Sequence, residues 1–241
     1  MRGFMKKLLK KILITLVAFF MMIAIGFGIY VSDYYKPNHN ALEAIRSDNV
    51  IKVYNRDSYF LFKGKDVKAG IIFYPGGKVD ERSYAPLMRL LAKEGYAVML
   101  AKMPLHLAMF GLNRANDIKK DNPKIKRWYL GGHSLGGAMA ARYLSSHKDF
   151  EGLFLLASYS TSKLPNHMKC LSLYGSQDQV LNRKSYKKYH HNLPQSTKEI
   201  VIQGGNHSQF GNYGFQKGDH KASISYNEQQ AQTARAISSV F

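Results

Sequence analysis

The chain has 241 residues, enough for one ordinary domain and a short appendage, and its hydrophobic content of 45% excludes a disordered protein. Its net charge of +19, from 35 Lys and Arg against 16 Asp and Glu, favours anionic surface polymers or membranes as partners, with a merely solvated basic surface as the alternative. No basic run is interleaved with aromatic residues, so we expect no nucleic-acid partner. The one cysteine, Cys170, excludes an intrachain disulfide and gives no metal-ligand spacing, and we expect neither a metal nor a cofactor.

The first 31 residues combine a basic segment with an apolar run. Residues 1–11 carry five cations and no acid, and residues 12–31 carry no charge. Twenty helical residues span about 30 Å, the thickness of the hydrocarbon core of a bilayer. We therefore predict a basic cytoplasmic tail over 1–11 and a transmembrane signal-anchor over 12–31, which places the remainder outside the cytoplasm at the cell membrane. A cleavable signal peptide is the alternative, although no small-x-small cleavage motif follows the run.

The remainder of the chain divides into a polar tether over 32–47, with one helical stretch near 41–46, and a domain over 48–241. In the domain, short apolar runs alternate with helical patterns, which is typical of a mostly parallel sheet flanked by helices. Eight strands are predicted over residues 51–54, 59–62, 70–74, 97–101, 127–130, 152–157, 170–174 and 199–202. Five helices are predicted over residues 84–94, 113–121, 135–146, 183–190 and 227–240. Only a turn separates the first two strands, so they should form an antiparallel hairpin.

The segment Gly132-His133-Ser134-Leu135-Gly136 matches the G-x-S-x-G pattern of a serine nucleophile. It lies between a predicted strand and a predicted helix, which is the context that this sharp turn requires. The amino end of the helix also helps to stabilise negative charge on a substrate oxygen. A glycine-rich turn without chemistry is the alternative, but the strand–turn–helix order favours Ser134 as the nucleophile.

Asp178 is the expected acid of the site. A serine nucleophile needs a general base, and the base needs an acid that fixes its tautomer. Asp178 is the only acidic residue between Glu151 and Glu199. It follows the predicted strand 170–174, at the carboxyl edge of the sheet where catalytic residues gather. An ordinary turn aspartate is the alternative.

His207 is the expected general base among four histidines that follow Asp178. His190 and His191 end a Lys-rich helix and are expected to face solvent. His207 follows the last strand in a glycine-rich loop, which lets the imidazole reach the sheet edge near Ser134. His220, in a later polar loop, is the alternative.

An acyl-transfer site also needs two N–H donors for the developing oxyanion. The backbone N–H of Leu135, directly after the nucleophile, is the first expected donor. The second should come from the loop after the third strand, where Gly77 is expected and Lys78 is the alternative. The expected substrate-binding residues are Gly76, Lys78, His133, Met103 and Phe210.

Four segments together resemble the α/β-hydrolase superfamily, in particular its compact dienelactone-hydrolase-like branch. They are Tyr74-Pro75-Gly76-Gly77, Gly132–Gly137, Gly175–Asp178 and Gly205-Asn206-His207. The resemblance covers residues 51–241 and implies an α/β-hydrolase fold, a Ser134–His207–Asp178 triad and hydrolysis through an acyl-enzyme.

The sequence departs from that family pattern in three places. Pro75-Gly76 replaces the usual His-Gly after the third strand. Serine occupies the position where dienelactone hydrolases have cysteine, so their specific activity is not implied. Only about a dozen residues separate 157 from 169, which leaves no room for a sizeable cap domain, and the loops 103–112 and 209–222 are the expected walls.

These features predict a membrane-anchored serine hydrolase that cleaves a small-molecule or lipid carboxylic ester. One alternative is an acyltransferase or amidase that uses the same triad. Another is a non-catalytic basic scaffold that binds anionic wall or membrane polymers. Fold analogy alone does not give the substrate.

Overall fold

The computed structural model describes residues 2–241, which divide into two compact units, one ending at Tyr34 and the other comprising Tyr35–Phe241. The first unit contains helix α1 (Arg2–Ser32), in which the basic segment and the apolar run form one continuous helix. The part from Phe4 to Ser32, with a mean hydropathy of 2.7, is long and apolar enough to cross a membrane. A signal sequence has the same properties, so length and composition alone leave both interpretations of this helix open.

The second unit is built on an eight-stranded sheet. Its strands are β1 (Lys52–Asn55), β2 (Tyr59–Lys63), β3 (Ala69–Tyr74), β4 (Tyr96–Ala101), β5 (Trp128–His133), β6 (Gly152–Leu156), β7 (Lys169–Gly175) and β8 (Lys198–Ile202). Their order across the sheet is β1-β2-β4-β3-β5-β6-β7-β8. The hairpin of β1 and β2 is antiparallel, as predicted, and β2 also pairs antiparallel with β4. All other pairs are parallel, so the sheet is mostly parallel as the sequence predicted.

Six helices accompany the sheet. They are α2 (His39–Ala44), α3 (Ala85–Lys93), α4 (Arg114–Asp121), α5 (Leu135–Leu144), α6 (Arg183–Tyr189) and α7 (Tyr226–Ser238). The last five lie where the sequence predicted helices. Short 3₁₀ turns, which the apolar periodicity did not indicate, occur at Glu81–Tyr84, Pro104–His106, Ala108–Gly111, His190–Asn192 and Ser208–Phe210.

Residues 35–47 differ from the predicted polar tether, because they pack onto the domain. Tyr35 forms a parallel β-bridge with Val79, and the N–H of Asn38 donates to the carbonyl of Asn212. The Asn38 side chain then caps α2, and this helix buries Ala41 completely. A capped helix with one apolar face is stable here because the domain covers that face.

The core lies in two layers, one on each face of the sheet. Consecutive residues of a strand point to opposite faces, so Ile71 and Phe73 join one layer while Ile72 and Tyr74 join the other. Helices α3 and α7 cover the first layer, and α4 and α5 cover the second. No helix or strand lies between β6 and β7, so the segment 157–168 forms no cap domain, as the sequence predicted. The carboxyl edge of the parallel strands is therefore covered only by loops.

Phe154 tests how much the first core layer contributes to stability. The side chain is fully buried and its ring centroid lies 6.1 Å from that of Phe73 and 6.2 Å from that of Phe241. Phe154→Ala should lower the free energy of unfolding by about 3–5 kcal/mol, because it removes apolar contacts and leaves a cavity. Urea unfolding followed by Trp fluorescence measures the loss. Val50→Ala, at a side chain that is 60% exposed, should change it by less than about 0.5 kcal/mol; equal losses in the two variants would contradict the layered core.

Candidate active site

Ser134 lies at the sharp turn between β5 and α5. Its backbone angles are φ 51° and ψ −122°, a region that a non-glycine residue occupies at a cost of about 1–3 kcal/mol. Three hydrogen bonds hold the strained residue. Its N–H donates to Leu156 O at 2.9 Å, and its carbonyl accepts from Ala138 N–H at 3.1 Å and from Ser158 Oγ at 2.7 Å. These bonds therefore fix the backbone of Ser134 in the turn.

The start of α5 lies directly against the end of β3. A Cβ placed on Gly136 would be 2.2 Å from the carbonyl oxygens of Tyr74 and Pro75, so only glycine fits there. This contact brings the loop after β3 next to the nucleophile turn. The second glycine of the G-x-S-x-G pattern is thus required by a backbone contact with Tyr74 and Pro75, which lie 62 and 61 residues earlier in the chain.

His207 and Asp178 form a buried pair at the same edge of the sheet. His207 Nδ1 lies 2.9 Å from Asp178 Oδ2, and each residue is only 1% exposed. Asp178 Oδ1 accepts the N–H groups of Val180 at 2.9 Å and Leu181 at 2.8 Å, which fixes the carboxylate. A carboxylate only accepts, so Nδ1 carries the proton and Nε2 is left as an acceptor. Nε2 is buried and has no hydrogen-bond partner within residues 2–241.

The His207 ring lies beside the nucleophile turn. Its centroid is 4.5 Å from that of His133, the residue that precedes Ser134. Two of the three residues proposed from the sequence, Asp178 and His207, are thus in direct contact, and the His207 ring lies next to the residue that precedes Ser134. His220, the alternative base, is exposed, and its backbone carbonyl accepts from the Asn206 side chain at 2.7 Å.

Two glutamines of α7 hold the loop that carries His207. Gln229 bonds both backbone groups of Asn206, accepting its N–H at 3.0 Å and donating to its carbonyl at 2.8 Å. Gln230 Nε2 donates to Gln209 O at 3.1 Å and to Asn212 Oδ1 at 2.6 Å. Both glutamines are buried, and the sequence analysis missed them. The sequence did contain a signal for them, because they lie on the same helical face as Thr233, Ala234 and Ile237. Polar side chains on a face that becomes buried need hydrogen-bond partners.

Asp219 connects the loop of His207 to the loop of Asp178. One carboxylate oxygen accepts the Ser208 N–H at 2.9 Å, and the other accepts the Gln179 N–H at 3.3 Å. Ser208 follows His207 and Gln179 follows Asp178, so one buried carboxylate holds the residues next to both members of the pair.

The loop after β3 supplies one free N–H beside the nucleophile turn. The N–H of Gly76 donates to Tyr84 Oη at 3.0 Å, and that of Lys78 donates to His106 O at 2.8 Å. Within residues 2–241 the N–H groups of Gly77 and Leu135 have no such acceptor. A Cβ on Gly77 would lie 2.8 Å from Leu135 Cδ2, so the two residues are neighbours. This geometry favours Gly77 over Lys78 as the second donor.

Tyr84 and His133 form a buried polar contact behind this loop. Burial raises the pKa of the Tyr84 phenol well above its ordinary value, so the hydroxyl stays neutral. Because Oη accepts from Gly76, its own proton is available for His133 Nδ1, 2.8 Å away. The pKa of His133 lies well below its usual range. The main cause is burial of the ring, and the second is electrostatic repulsion between the protonated form of His133 and that of His207. A neutral imidazole therefore separates Tyr84 from His207.

Several of the expected substrate-binding residues are buried instead of facing the site opening. Met103 is 5% exposed, His133 is 1% exposed and Phe210 is fully buried, with its ring centroid 5.6 Å from that of His133. The loops pack tightly around these three side chains and leave them little surface for a ligand, so their role is to support the loops of the site. Gly76 is also buried, whereas Lys78 is partly exposed.

The sheet is covered on both faces, a strained serine follows its central strand β5, and a buried His–Asp pair lies at the same edge. This arrangement is typical of α/β hydrolases. Consistent with this, residues 70–231 match the model of the alpha/beta hydrolase family. The chain belongs to that family, which supports a hydrolase activity. None of the curated proteins matches the chain.

Solved structures with low sequence identity show the same fold. A bacterial heroin esterase has a TM-score of 0.60 and 13% identity, over 83% of this chain and 87% of that one. A dienelactone hydrolase from Anabaena variabilis has a TM-score of 0.60 and 13% identity, over 80% and 98%. A thermophilic esterase from Thermogutta terrifontis has a TM-score of 0.54 and 14% identity, over 81% and 95%.

The Tyr84 hydroxyl should contribute to stability, whereas that of Tyr96 should not. Both side chains are fully buried, but Tyr96 Oη has no hydrogen-bond partner within residues 2–241. Tyr84→Phe leaves the Gly76 N–H and His133 Nδ1 without their partner and should cost about 1–3 kcal/mol. Tyr96→Phe removes an unsatisfied hydroxyl and should be neutral or stabilising. Urea unfolding of the two variants measures the difference, and a larger loss in Tyr96→Phe would refute the assignment.

Cys170 should be chemically inert in the folded protein. The side chain is 2% exposed, and burial raises the pKa of its thiol to about 12. Only the thiolate reacts, so iodoacetamide at pH 7.5 should leave the folded protein unmodified and alkylate it in urea. Mass spectrometry counts the adducts, and rapid alkylation without urea would contradict the buried position.

Proposed function

We propose that this protein is a serine hydrolase that cleaves carboxylic esters through an acyl-enzyme, with Ser134 as nucleophile, His207 as general base and Asp178 as the acid. The observation that carries the proposal is the buried His207–Asp178 pair, whose Nε2 has no partner and whose ring lies beside the turn of Ser134. Esterases among the structural neighbours support ester cleavage as the reaction type.

Acylation follows from these positions. Ser134 Oγ attacks the carbonyl carbon of the ester while its proton passes to His207 Nε2, and the carbonyl oxygen becomes an oxyanion. When the tetrahedral intermediate collapses, the bond to the alcohol oxygen breaks and the alcohol takes the proton from Nε2. Asp178 stabilises the transient imidazolium through Nδ1. Water then attacks the acyl-enzyme with the same base, which releases the carboxylic acid and regenerates Ser134.

We assign the oxyanion to the N–H groups of Gly77 and Leu135. The hydrogen bond from Lys78 to His106 and that from Gly76 to Tyr84 hold the loop on both sides of Gly77, so its N–H is fixed before substrate arrives. A preorganised donor of this kind contributes about 3–4 kcal/mol to lowering the barrier.

The acyl group should be apolar and of modest size. The loop 103–112 lies beside the oxyanion donors, since the Leu107 side chain is 3.7 Å from the Cβ position of Gly77. From this loop Leu105 is 48% exposed and Met109 is 51% exposed, so the loop presents apolar surface next to the reacting centre. No cap domain encloses a long chain.

Labelling with a fluorophosphonate tests the nucleophile. Wild type should react with one equivalent at Ser134, and Ser134→Ala should not react. Ser145→Ala, at a partly exposed serine that ends α5, is the matched control and should label like wild type. On p-nitrophenyl esters of graded chain length, His207→Ala and Asp178→Asn should lower kcat by a factor on the order of 10³–10⁴. A wild-type protein that neither reacts with the fluorophosphonate nor hydrolyses these esters would refute the proposal.

We further propose that α1 is an uncleaved signal-anchor and that the domain lies outside the cytoplasm at the cell membrane. The support is the apolar helix preceded by cations without acids. Protease added to intact cells should degrade the domain and leave a short membrane-bound fragment. If the domain is protected in intact cells and degraded only after lysis, the domain faces the cytoplasm and the proposed orientation is wrong.

A further inference from the structure

A second concave site lies at the amino edge of the sheet, away from Ser134. It is a groove of about 570 Å³, which we call the basic groove. The end of β2, the starts of β3 and β4, and the segment 121–127 before β5 form its walls. Ser134 follows the other end of β5, whose six residues span roughly 20 Å. The basic groove therefore shares no residue with the candidate active site.

The floor of the basic groove is apolar. Leu61, Ala69 and Ala97 contribute buried side chains, and Val67 and Ile125 contribute partly buried ones. A groove of this volume and apolar lining is within the range of sites that hold small organic ligands. The floor alone would accept any hydrocarbon chain.

The rim of the basic groove is cationic. Five basic side chains line it against one acid, Asp121, and they are Lys63, Lys68, Lys124, Lys126 and Arg127. Arg127 is paired with Glu151 at 3.0 Å. The four lysines are exposed and form no ion pair with an acid within residues 2–241. Lys126 Nζ donates to the Pro123 carbonyl at 3.3 Å, and Lys68 Nζ lies 4.2 Å from the centroid of the Tyr96 ring. Neither contact neutralises the ammonium charge, which is therefore available to an anion.

We propose that the basic groove binds an amphiphilic anion, a single hydrocarbon chain with a carboxylate or phosphate head. The apolar floor would bury the hydrocarbon chain, and the exposed lysine ammonium groups, which pair with no acid within residues 2–241, would contact the head. An extended polyanion would leave the floor unused, and a neutral lipid would leave the lysines unused.

The only tryptophan of the chain provides a local reporter. Trp128 follows the lining residue Arg127, and its Nε1–H donates to the carbonyl of Ile125, a floor residue, at 3.1 Å. A brominated chain in the basic groove should therefore quench Trp fluorescence at close range. The signal is independent of Ser134, so binding and the proposed hydrolysis can fail separately.

The experiment titrates the full chain, carrying Ser134→Ala and held in phosphatidylcholine nanodiscs, with 8-bromooctanoate. Quenching should saturate, and 8-bromooctanol should need at least about ten times the concentration for the same quenching. Lys124→Glu with Lys126→Glu should weaken the apparent Kd at least about tenfold, because two attractive charges become repulsive. Lys184→Glu with Lys188→Glu, the same change at exposed positions of α6, should leave the Kd unchanged. Thermal unfolding of both double variants shows whether they are folded.

Competition separates the two head groups. Octanoate and octyl phosphate should each relieve the quenching, and the more effective one identifies the preferred head. Absent or non-saturating quenching overturns the proposal. Equal quenching by the alcohol, or an unchanged Kd in the folded Lys124→Glu, Lys126→Glu variant, also overturns it, since either result means partitioning of the chain without recognition of the charge.

Discussion

The backbone contact between the end of β3 and the start of α5 is the constraint on which the site depends. At Gly136 the two segments approach so closely that a single Cβ would overlap two carbonyl oxygens. This approach sets the position of the Ser134 turn relative to the loop of Gly77. The strain at Ser134 persists because Leu156 of β6 accepts its N–H while Ala138 of α5 and Ser158 donate to its carbonyl, so the structure on both sides stabilises the turn.

The base depends on a different kind of constraint, a buried network of neutral amides and one carboxylate. The loop of His207 contributes one core side chain, Phe210, and Gln229, Gln230 and Asp219 hold it by hydrogen bonds to its backbone. Bonds of this kind are individually modest, but leaving any one of the buried groups without a partner is costly. The network therefore fixes the imidazole without a covering domain, and this is compatible with a site that only loops surround.

The charge of the chain is distributed unevenly over the sheet edges. At the candidate site the titratable groups are buried and paired, as in Asp178–His207, and the exposed surface from the loop 103–112 is apolar. At the opposite edge, lysines that precede β3 and β5, together with Lys63 at the end of β2, surround an apolar groove. The net charge of +19 says nothing about this separation, which arises because parallel strands bring all residues that precede them to one edge.

The sequence alone determined the strands, the helices that pack on the sheet and the three residues proposed for catalysis, since apolar periodicity and the position of a residue after a strand are local properties. It proposed Gly77 as the second oxyanion donor but left Lys78 as the alternative, because separating them requires knowing which N–H is already bonded to His106 or Tyr84. It could not foresee that Met103 and Phe210 are buried, that residues 35–47 pack on the domain, or that two glutamines of the last helix hold the base. Each of these depends on contacts between segments far apart in the chain, and only the tertiary structure fixes such contacts.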